Sequence, residues 1–229
     1  MSRLAIITAR GGSKRIPGKN IKLFLGKPII HYSIEAALQS GIFDEVMVST
    51  DSEEIAEVAR AAGAVVPFMR SAETANDFAT TRDVLMEVLE KYAQLGKKFK
   101  SFACIYPTNP FITPRKLCEA YKTFEESNAE GLMPVVAFSY PPQRGHYIQN
   151  NRLEMVQPEH IRTRSQDLPK IYHDVGQFYI YRTEYYLLGD PLTRKSVVPY
   201  EISEMEAQDI DTFEDWELAE MKYKLLHRS

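Results

Sequence analysis

A short loop near the amino terminus combines the residue types that bind phosphate groups. It contains closely spaced glycines and basic residues: Gly11, Gly12, Gly18, Arg10, Lys14, Arg15 and Lys19. Adjacent glycines let consecutive backbone N–H groups approach phosphate oxygens at positive φ, and Lys and Arg neutralise the phosphate charge. The whole chain has a formal net charge of -3, so this basic character is local. We therefore predict that the loop binds a polyphosphate.

Other interpretations of this loop fit less well. A Walker A loop has four residues between its last two glycines and then Lys-Ser/Thr, whereas here five residues separate Gly12 from Gly18 and Asn20 follows Lys19. The dinucleotide-binding pattern G-x-G-x-x-G does not occur in the sequence. A solvated surface turn is the simplest alternative, but four clustered cations repel one another unless an anion is near. The pattern favours an anion site of another type.

Two aspartates near the carboxyl terminus form a second candidate site. If residues 208–211 are extended, Asp209 and Asp211 point to the same side while Ile210 points to the core. Mg²⁺ prefers oxygen ligands and is often shared between one or two carboxylates and substrate phosphates. The alternative is helix capping, since Asp211 or Thr212 could begin a final helix. The pair predicts a Mg²⁺ site that would act together with the phosphate loop.

A third polar cluster precedes an apolar run at 178–181. Its members are Arg162, Arg164, Gln166, Asp167, Tyr172, His173, Asp174 and Gln177. Such a set would bind a polar, carboxylated sugar, with the Arg164 guanidinium making a paired contact to the carboxylate. The alternative is a solvated charged turn. No histidine pair has metal-binding spacing, so we interpret His173 as a hydrogen-bonding residue.

The elements that position these residues alternate between strand and helix. Predicted strands cover 4–8, 45–49, 65–68, 102–106, 131–137 and 178–181. Predicted helices cover 29–40, 52–62, 80–95, 114–127 and a final segment whose core stripe is Trp216, Ala219, Tyr223 and Leu226. A capping box at Thr50 and Glu53 is expected to begin the second helix, and Gly63 to end it. This order predicts an α/β fold with a mostly parallel sheet covered by helices on both faces.

The alternation stops between residues 138 and 172. Prolines and glycine interrupt this segment, and Asn150-Asn151 between short apolar pieces predicts a hairpin. The hairpin region carries apolar side chains that nearby sequence does not cover: Tyr140, Tyr147, Ile148, Leu153 and Met155. We predict that this insertion pairs two chains across a twofold axis, giving a homodimer. An ordinary surface excursion is the alternative.

Composition indicates one globular domain over residues 1–229. The chain is 44% hydrophobic, and no Pro/Gly/Ser-rich linker divides it. No apolar stretch is long enough to span a membrane, so we expect a soluble, cytoplasmic protein that does not bind membranes. The acidic balance argues against nucleic-acid binding. Two isolated cysteines, Cys104 and Cys118, predict neither a disulfide framework nor a zinc site.

Several motifs together resemble one family across almost the whole chain. They are residues 7–20, VSTD at 48–51, the segment 70–81, YPTNPF at 106–111, RSQDLPKIYHDVGQFY at 164–179 and DIDTFEDW at 209–216. This set resembles the CMP-nonulosonic acid synthetases, or acylneuraminate cytidylyltransferases, which activate sialic-type sugars with CTP. The RSQDL run followed by YHD-x-GQFY is most similar to the pseudaminic acid members. The first motif is long and specific.

The resemblance implies a fold and a set of functional residues. The fold would be the Rossmann-like nucleotidyltransferase (GT-A-like) sheet, with the 138–172 insertion joining a partner subunit. The implied CTP-binding residues are Ala9, Arg10, Gly11, Gly12, Ser13, Lys14, Lys19, Asn20, Arg70, Ala79 and Thr81. The implied sugar-binding residues are Tyr106, Arg164, Gln166, Tyr172, His173, Asp174 and Gln177. Lys19 and Arg10 would be catalytic, and Asp209 and Asp211 would bind Mg²⁺.

The sequence also departs from the family pattern. Arg15 stands where many sialic acid members have Gly, and Ser71 where Pro often follows Arg70. Tyr106 stands where sialic acid members usually have Gln near the sugar, which favours a 9-deoxy sugar such as pseudaminic acid. N-acetylneuraminate and legionaminate remain alternative substrates. A sugar or nucleoside kinase and a non-catalytic CTP-sensing module are the alternatives from other classes.

Overall fold

A computed structural model describes residues 2–189 and 191–228. Its strands are β1 Arg3–Thr8, β2 Leu23–Phe24, β3 Lys27–Pro28, β4 Glu45–Ser49, β5 Ser101–Ile105, β6 Gly131–Ala137, β7 His146–Gln149, β8 Arg152–Met155, β9 Tyr172–Asp174, β10 Phe178–Arg182 and β11 Val197–Glu201. Its α-helices are α1 Ile29–Ser40, α2 Glu53–Ala61, α3 Ala72–Ala75, α4 Thr81–Gln94, α5 Pro114–Ser127, α6 Thr183–Leu188 and α7 Phe213–Leu226.

A seven-stranded mixed sheet forms the centre of the molecule. Its order is β11-β6-β10-β5-β1-β4, and β9 also pairs with β6. Strands β11, β6, β5, β1 and β4 run in one direction, whereas β9 and β10 run in the other. The α/β class and the mostly parallel sheet are therefore confirmed. Because β1 and β5 are parallel neighbours, the loops at their carboxyl ends emerge side by side.

The core lies on both faces of this sheet. In β1, Ala5 and Ile7 pack into one apolar cluster with α1, α2 and α5, while Leu4 and Ile6 pack into another with α4. All four side chains are fully buried. Burying a large aliphatic side chain contributes roughly 1.5–3 kcal/mol, so this strand is anchored from both sides. The loop that follows β1 therefore starts from a rigid position.

The predicted strand at 65–68 is wrong. Val65 forms only an isolated parallel bridge to Met47, beside β4 at the sheet edge. Pro67 has no N–H to donate to a ladder, which explains why pairing stops there. The segment instead leads to Arg70, whose N–H donates to the Thr50 carbonyl at 2.8 Å.

Helix starts were predicted with mixed success. The Thr80 hydroxyl accepts from the Asp83 N–H and forms a capping box at the start of α4. The predicted capping box at Thr50 is wrong, because Ser52 is the N-cap of α2 and accepts from the Ile55 N–H at 3.4 Å. Gly63 does follow the end of this helix, with φ +94°.

The segment from 138 to 172 contains the predicted hairpin. Strands β7 and β8 form a separate two-stranded sheet, and the turn residues Asn150 and Asn151 have φ of 49° and 58°. Positive φ at both positions is typical of a type I′ turn. Tyr172, at the end of the segment, already belongs to β9 in the central sheet.

The last helix begins at Phe213, with Thr212 as its N-cap. Trp216 and Ala219 are buried as predicted, but Leu226 is exposed and does not join the core stripe. None of the helices in the described ranges is long and apolar enough to span a bilayer.

Candidate functional site

A cavity of about 640 Å³ lies at the carboxyl ends of β1 and β5. The predicted site residues that line it are Arg10, Ser13, Lys14, Lys19, Asn20, Arg70, Ala79, Thr81, Tyr106, Asp209 and Asp211. These positions span about two hundred residues of chain, and the fold brings them to one place. Ala9, Gly11 and Gly12 belong to the same loop without lining this cavity.

The phosphate loop is held in place by bonds at both ends. The Ala9 N–H donates to the Ser49 carbonyl at 2.9 Å, and the Gly11 N–H donates to the Asp51 carboxylate at 2.8 Å. The buried Asn20 side chain donates to the Arg10 carbonyl at 2.8 Å. Asn20 therefore stabilises the loop through its backbone.

The three glycines of this loop have different roles. Only Gly18 has positive φ, at 61°, so the expectation of positive φ at the adjacent pair is wrong. A side chain at Gly11 would meet the Ser52 Cβ at 3.1 Å, which makes close packing the requirement there. No atom lies within 4 Å of a Cβ built on Gly12.

Every basic side chain of the loop is paired with a carboxylate. Arg10 Nη1 lies 2.9 Å from Asp77, and Lys14 also forms an ion pair with Asp77. Arg15 Nη2 lies 2.8 Å and Lys19 Nζ 3.5 Å from the Asp211 carboxylate. The four cations converge on the cavity, and two internal acids reduce their mutual repulsion.

Arg70 is the buried cation of the cavity. Its side chain donates to the Ser49 hydroxyl at 3.1 Å and to the Ser49 carbonyl at 2.6 Å. Burial lowers the pKa of Arg70, and the charges of Asp51 and Glu87 act in the opposite direction. Arg70 thus links the end of β4 to the segment that carries Ala79 and Thr81.

The two aspartates have the predicted arrangement. Ile210 is fully buried, while Asp209 and Asp211 line the same cavity. Burial first, and then the charge of Asp211, raise the pKa of Asp209, since two carboxylates face one region. Thr212, not Asp211, is the N-cap of the last helix. The alternative interpretation of these aspartates as helix caps is therefore excluded.

The donor set at this pair fits a magnesium ion that phosphate oxygens complete. Among residues 2–189 and 191–228, no group of three or more His, Cys, Asp or Glu side chains could hold a metal. Mg²⁺ needs only one or two carboxylates when substrate phosphates and waters supply the other ligands. Asp209 and Asp211 meet that requirement, and Lys19 beside them also donates to the Ile210 carbonyl at 2.6 Å.

Tyr106 connects the cavity to part of the predicted sugar cluster. Its hydroxyl lies 3.3 Å from the Thr81 hydroxyl, and its ring meets the Tyr179 ring edge-on at 5.6 Å. Tyr179 in turn donates to the Asp174 carboxylate at 2.5 Å. Gly176, with φ +61°, lies in the interruption between β9 and β10 and donates to Asp174 at 2.8 Å. Asp174 is thereby held near Tyr106.

The other predicted sugar residues lie apart from this cavity. Arg164 forms a two-point ion pair with Asp167 at 2.7 and 3.2 Å. Tyr172 donates to Glu201 at 3.2 Å, and the His173 ring packs on Phe138 at 4.7 Å. In the part of the chain that the structure describes, the cavity lining includes neither these residues nor Gln166.

Gln177 is part of the protein interior. Its side chain is fully buried, and its amide nitrogen donates to the Glu206 carbonyl at 2.6 Å. The amide oxygen is buried without a described hydrogen-bond partner. This geometry gives Gln177 a structural contact to the segment that leads to Asp209.

Sequence reasoning assigned no site role to two acids around the loop and did not place Arg15 among the ligand-binding residues. Asp77 contacts Arg10 and Lys14, Arg15 lines the cavity, and Asp51 holds the Gly11 N–H. Asp51 and Asp77 lie in motifs already singled out, but nothing in their spacing links them to the loop. Arg15 was counted among the four basic residues of the loop but not among the CTP-binding residues that the resemblance implies.

The chain is similar to known proteins over nearly its whole length. A sequence profile of the cytidylyltransferase family matches residues 4–223. The chain is 42% identical to the pseudaminic acid cytidylyltransferase of Campylobacter jejuni over 100% of this chain and 99% of the relative. It is 34% identical to the CMP-N,N'-diacetyllegionaminic acid synthase of Legionella pneumophila, over 98% and 97% of the two chains.

A solved structure supports the fold. The structure of CMP:2-keto-3-deoxy-manno-octonic acid synthetase complexed with CTP matches with a TM-score of 0.71. The match covers 99% of this chain and 100% of the other at 22% identity. The family profile and the full-length relatives together establish that the chain belongs to the cytidylyltransferase family.

Proposed function

We propose that this protein is a cytidylyltransferase that activates pseudaminic acid with CTP, releasing pyrophosphate and forming the CMP-sugar. The main observation is the single cavity in which four loop cations and two aspartates converge. The phosphates of a triphosphate would contact the loop cations, and a divalent cation bound to it would contact the two aspartates. The 42% identity over full length to a pseudaminic acid cytidylyltransferase supports the choice of sugar.

The phosphate loop would bind the triphosphate of CTP. Arg10, Lys14 and Lys19 supply positive charge, and Ser13 lines the same wall. The base and ribose would lie toward Ala79 and Thr81, which follow Arg70 along the other side of the cavity. The N–H groups of Phe78, Ala79 and Thr80 are already bonded to side chains of the protein, so the carbonyls of this segment and the Thr81 hydroxyl would contact the base.

Mg²⁺ would be held by Asp209 and Asp211 together with phosphate oxygens. When bound there, the ion neutralises charge on the phosphates and orients them. Lys19 already lies against Asp211 and the Ile210 carbonyl, so its position beside this ion is fixed by the protein.

The reaction would be an in-line displacement at the α-phosphorus. The anomeric hydroxyl of the sugar attacks and loses its proton, a P–O bond forms, and the bond to the departing pyrophosphate breaks. Phosphoryl-type transfer depends mainly on positioning and charge stabilisation, so no protein nucleophile is needed. Lys19 would make the largest contribution to stabilising charge in the transition state, and Arg10 would assist.

The sugar would enter beside Tyr106 and Asp174. Tyr106 is part of the cavity, and Tyr179 holds the Asp174 carboxylate close to it. An apolar phenol ring in place of an amide favours a 9-deoxy sugar over a fully hydroxylated one. The wider sugar cluster, including Arg164 and His173, lies away from the cavity of one chain, which is expected if a partner subunit supplies part of the pocket.

A homodimer would use the 138–172 insertion. Its apolar side chains Tyr140, Ile148 and Leu153 are exposed by 86%, 77% and 69%. Monomeric surfaces rarely expose large contiguous apolar patches, and a twofold contact is the commonest way to bury a self-complementary one.

A product assay tests this function and separates the alternatives. Incubation with CTP, Mg²⁺ and pseudaminic acid is expected to release pyrophosphate and form the CMP-sugar. Parallel incubations with legionaminic, N-acetylneuraminic and Kdo acids rank the sugars by kcat/KM. Formation of a nucleoside diphosphate would instead indicate a kinase, and CTP binding without turnover on any sugar would indicate a sensing module.

A further inference from the structure

Asp77 is the acid that pairs with Arg10 and Lys14, whereas Asp211 pairs with the other two loop cations. One carboxylate oxygen accepts from Arg10 Nη1 at 2.9 Å, and the other forms an ion pair with Lys14. These are two of the three cations that the proposed function assigns to the triphosphate. Asp77 therefore contacts the same donors that phosphate oxygens would use.

The protein positions Asp77 through a well-bonded corner between α3 and α4. The Asn76 side chain accepts from the N–H groups of Phe78 and Ala79 at 2.8 and 3.0 Å. On the α4 side, the Thr80 capping box fixes the start of the helix. The turn is formed by its own hydrogen bonds. The backbone at Asp77 is therefore positioned independently of the contact that its side chain makes to the loop.

Glu87 ties the other side of this corner to α4. Its carboxylate accepts from the Ser71 N–H at 2.8 Å and also from the Thr74 hydroxyl. The segment that contains Asp77 is consequently hydrogen-bonded to α4. This fixes the position at which Asp77 contacts the loop cations.

The charges around Asp77 make it a competing anion. Hydrogen bonding to Lys14, followed by Arg10, lowers the pKa of Asp77, so its carboxylate is ionised at neutral pH. Its side chain is 45% exposed, and Lys14 is 77% exposed. Exposed ion pairs are weak enough for a multivalent anion to displace them. Asp77 thus holds the side chains of Arg10 and Lys14 in place, and a phosphate ligand that displaces it loses a small part of its binding affinity.

We propose that Asp77 is a positioning residue that occupies Arg10 and Lys14 until a phosphate ligand displaces it and thereby weakens the binding of free pyrophosphate. The inference rests on the proposed function. Every ligand that displaces Asp77 loses the same factor in affinity. CTP has additional contacts through its base and ribose, whereas pyrophosphate has only its phosphates. Both ligands are weakened by the same factor, but the base and ribose contacts leave CTP with the higher remaining affinity, so pyrophosphate dissociates more readily.

The test is calorimetric titration of inorganic pyrophosphate and of CTP, each with Mg²⁺, into wild type, Asp77→Asn and the control Glu126→Gln. Glu126 is an exposed acid on the outer part of α5 that pairs with Lys122, so its replacement removes the same charge elsewhere. Asp77→Asn is expected to tighten both ligands about three- to tenfold, as two exposed ion pairs allow. The control should bind like wild type.

A second set of measurements separates competition from a merely structural role. In steady-state assays Asp77→Asn should lower KM for CTP and become more sensitive to inhibition by added pyrophosphate. In a Lys14→Gln background the gain from Asp77→Asn should shrink, because one of the contested donors is gone. Thermal unfolding curves confirm that the variants are folded.

The outcomes distinguish this inference from the proposed function. Unchanged or weaker binding of pyrophosphate by folded Asp77→Asn would overturn the inference, since Asp77 would then not compete with phosphate. Failure of wild type to bind CTP or to turn over any sugar would overturn the proposed function itself.

Discussion

Replacing Lys19 with alanine is the sharpest test of the site. Lys19 Nζ lies 2.6 Å from the Ile210 carbonyl and 3.5 Å from the Asp211 carboxylate, on the wall of the cavity. Its side chain is 19% exposed, so its charge acts where water is partly excluded. Removing a preorganised charge-stabilising donor from such a site commonly costs ~10²–10³ in kcat, or about 3–4 kcal/mol.

The effect on folding should be much smaller. Lys19→Ala removes one hydrogen bond to a carbonyl, which contributes about 1 kcal/mol on average. For a chain of this size that corresponds to a fall in Tm of about 2–4 °C. The variant should therefore be folded and nearly inactive.

The assay compares pyrophosphate release and thermal unfolding for wild type, Lys19→Ala and Lys22→Ala. Lys22 is a nearby lysine outside the cavity lining, and its Nζ lies 5.6 Å from the centre of the Trp216 ring. Loss of this contact should cost little stability and no more than a small part of the turnover. Near-normal kcat in folded Lys19→Ala, or an equal loss in Lys22→Ala, would refute the reasoning.

Four further predictions concern other parts of the molecule. Asp209→Asn should lower turnover at least tenfold and shift the Mg²⁺ titration to higher concentration; an unchanged titration would contradict the metal assignment. Light scattering should report about twice 26.2 kDa, whereas Ile148→Glu combined with Leu153→Glu should give monomers that bind CTP but turn over poorly. Tyr106→Gln should raise the kcat/KM ratio of N-acetylneuraminic over pseudaminic acid, and a constant ratio would remove Tyr106 from sugar selection. Burial raises the pKa of Cys104 to about 12, so at pH 8 a thiol reagent should leave this cysteine unmodified until the protein is unfolded.

Local sequence patterns predicted the elements whose causes are themselves local. The buried run of β1, the helix predicted over 80–95 and the Asn150-Asn151 turn depend on neighbouring residues, and each is found. The alternation of strand and helix predicted the α/β class for the same reason. The error at Thr50 arose because Ser52, two positions later, is a second candidate cap for the same helix. The error at 65–68 arose because a proline ends the pairing at the sheet edge.

In the candidate site, too, sequence patterns predicted the features that depend on local residues and missed those that depend on distant ones. The loop composition and the spacing of Asp209 and Asp211 indicated phosphate and metal binding, because those chemistries follow from residue type and from two-residue periodicity. The sugar cluster was only partly brought together: Asp174 lies near Tyr106, whereas Arg164 pairs with Asp167 within the 138–172 segment. In the proposed dimer a second chain would bring Arg164 to a pocket, and local spacing does not encode such a contact.

The sequence by itself determined which residues could bind phosphate, since glycine, lysine and arginine have that chemistry wherever they lie. Only the tertiary structure decided which acids face them. Asp77 meets Arg10 across 67 positions of chain, and Asp211 meets Lys19 across 192. Such pairings follow from the order and direction of strands in the sheet, with β1 placed between β4 and β5. Strand order depends on the packing of the whole core, so no local pattern specifies these contacts.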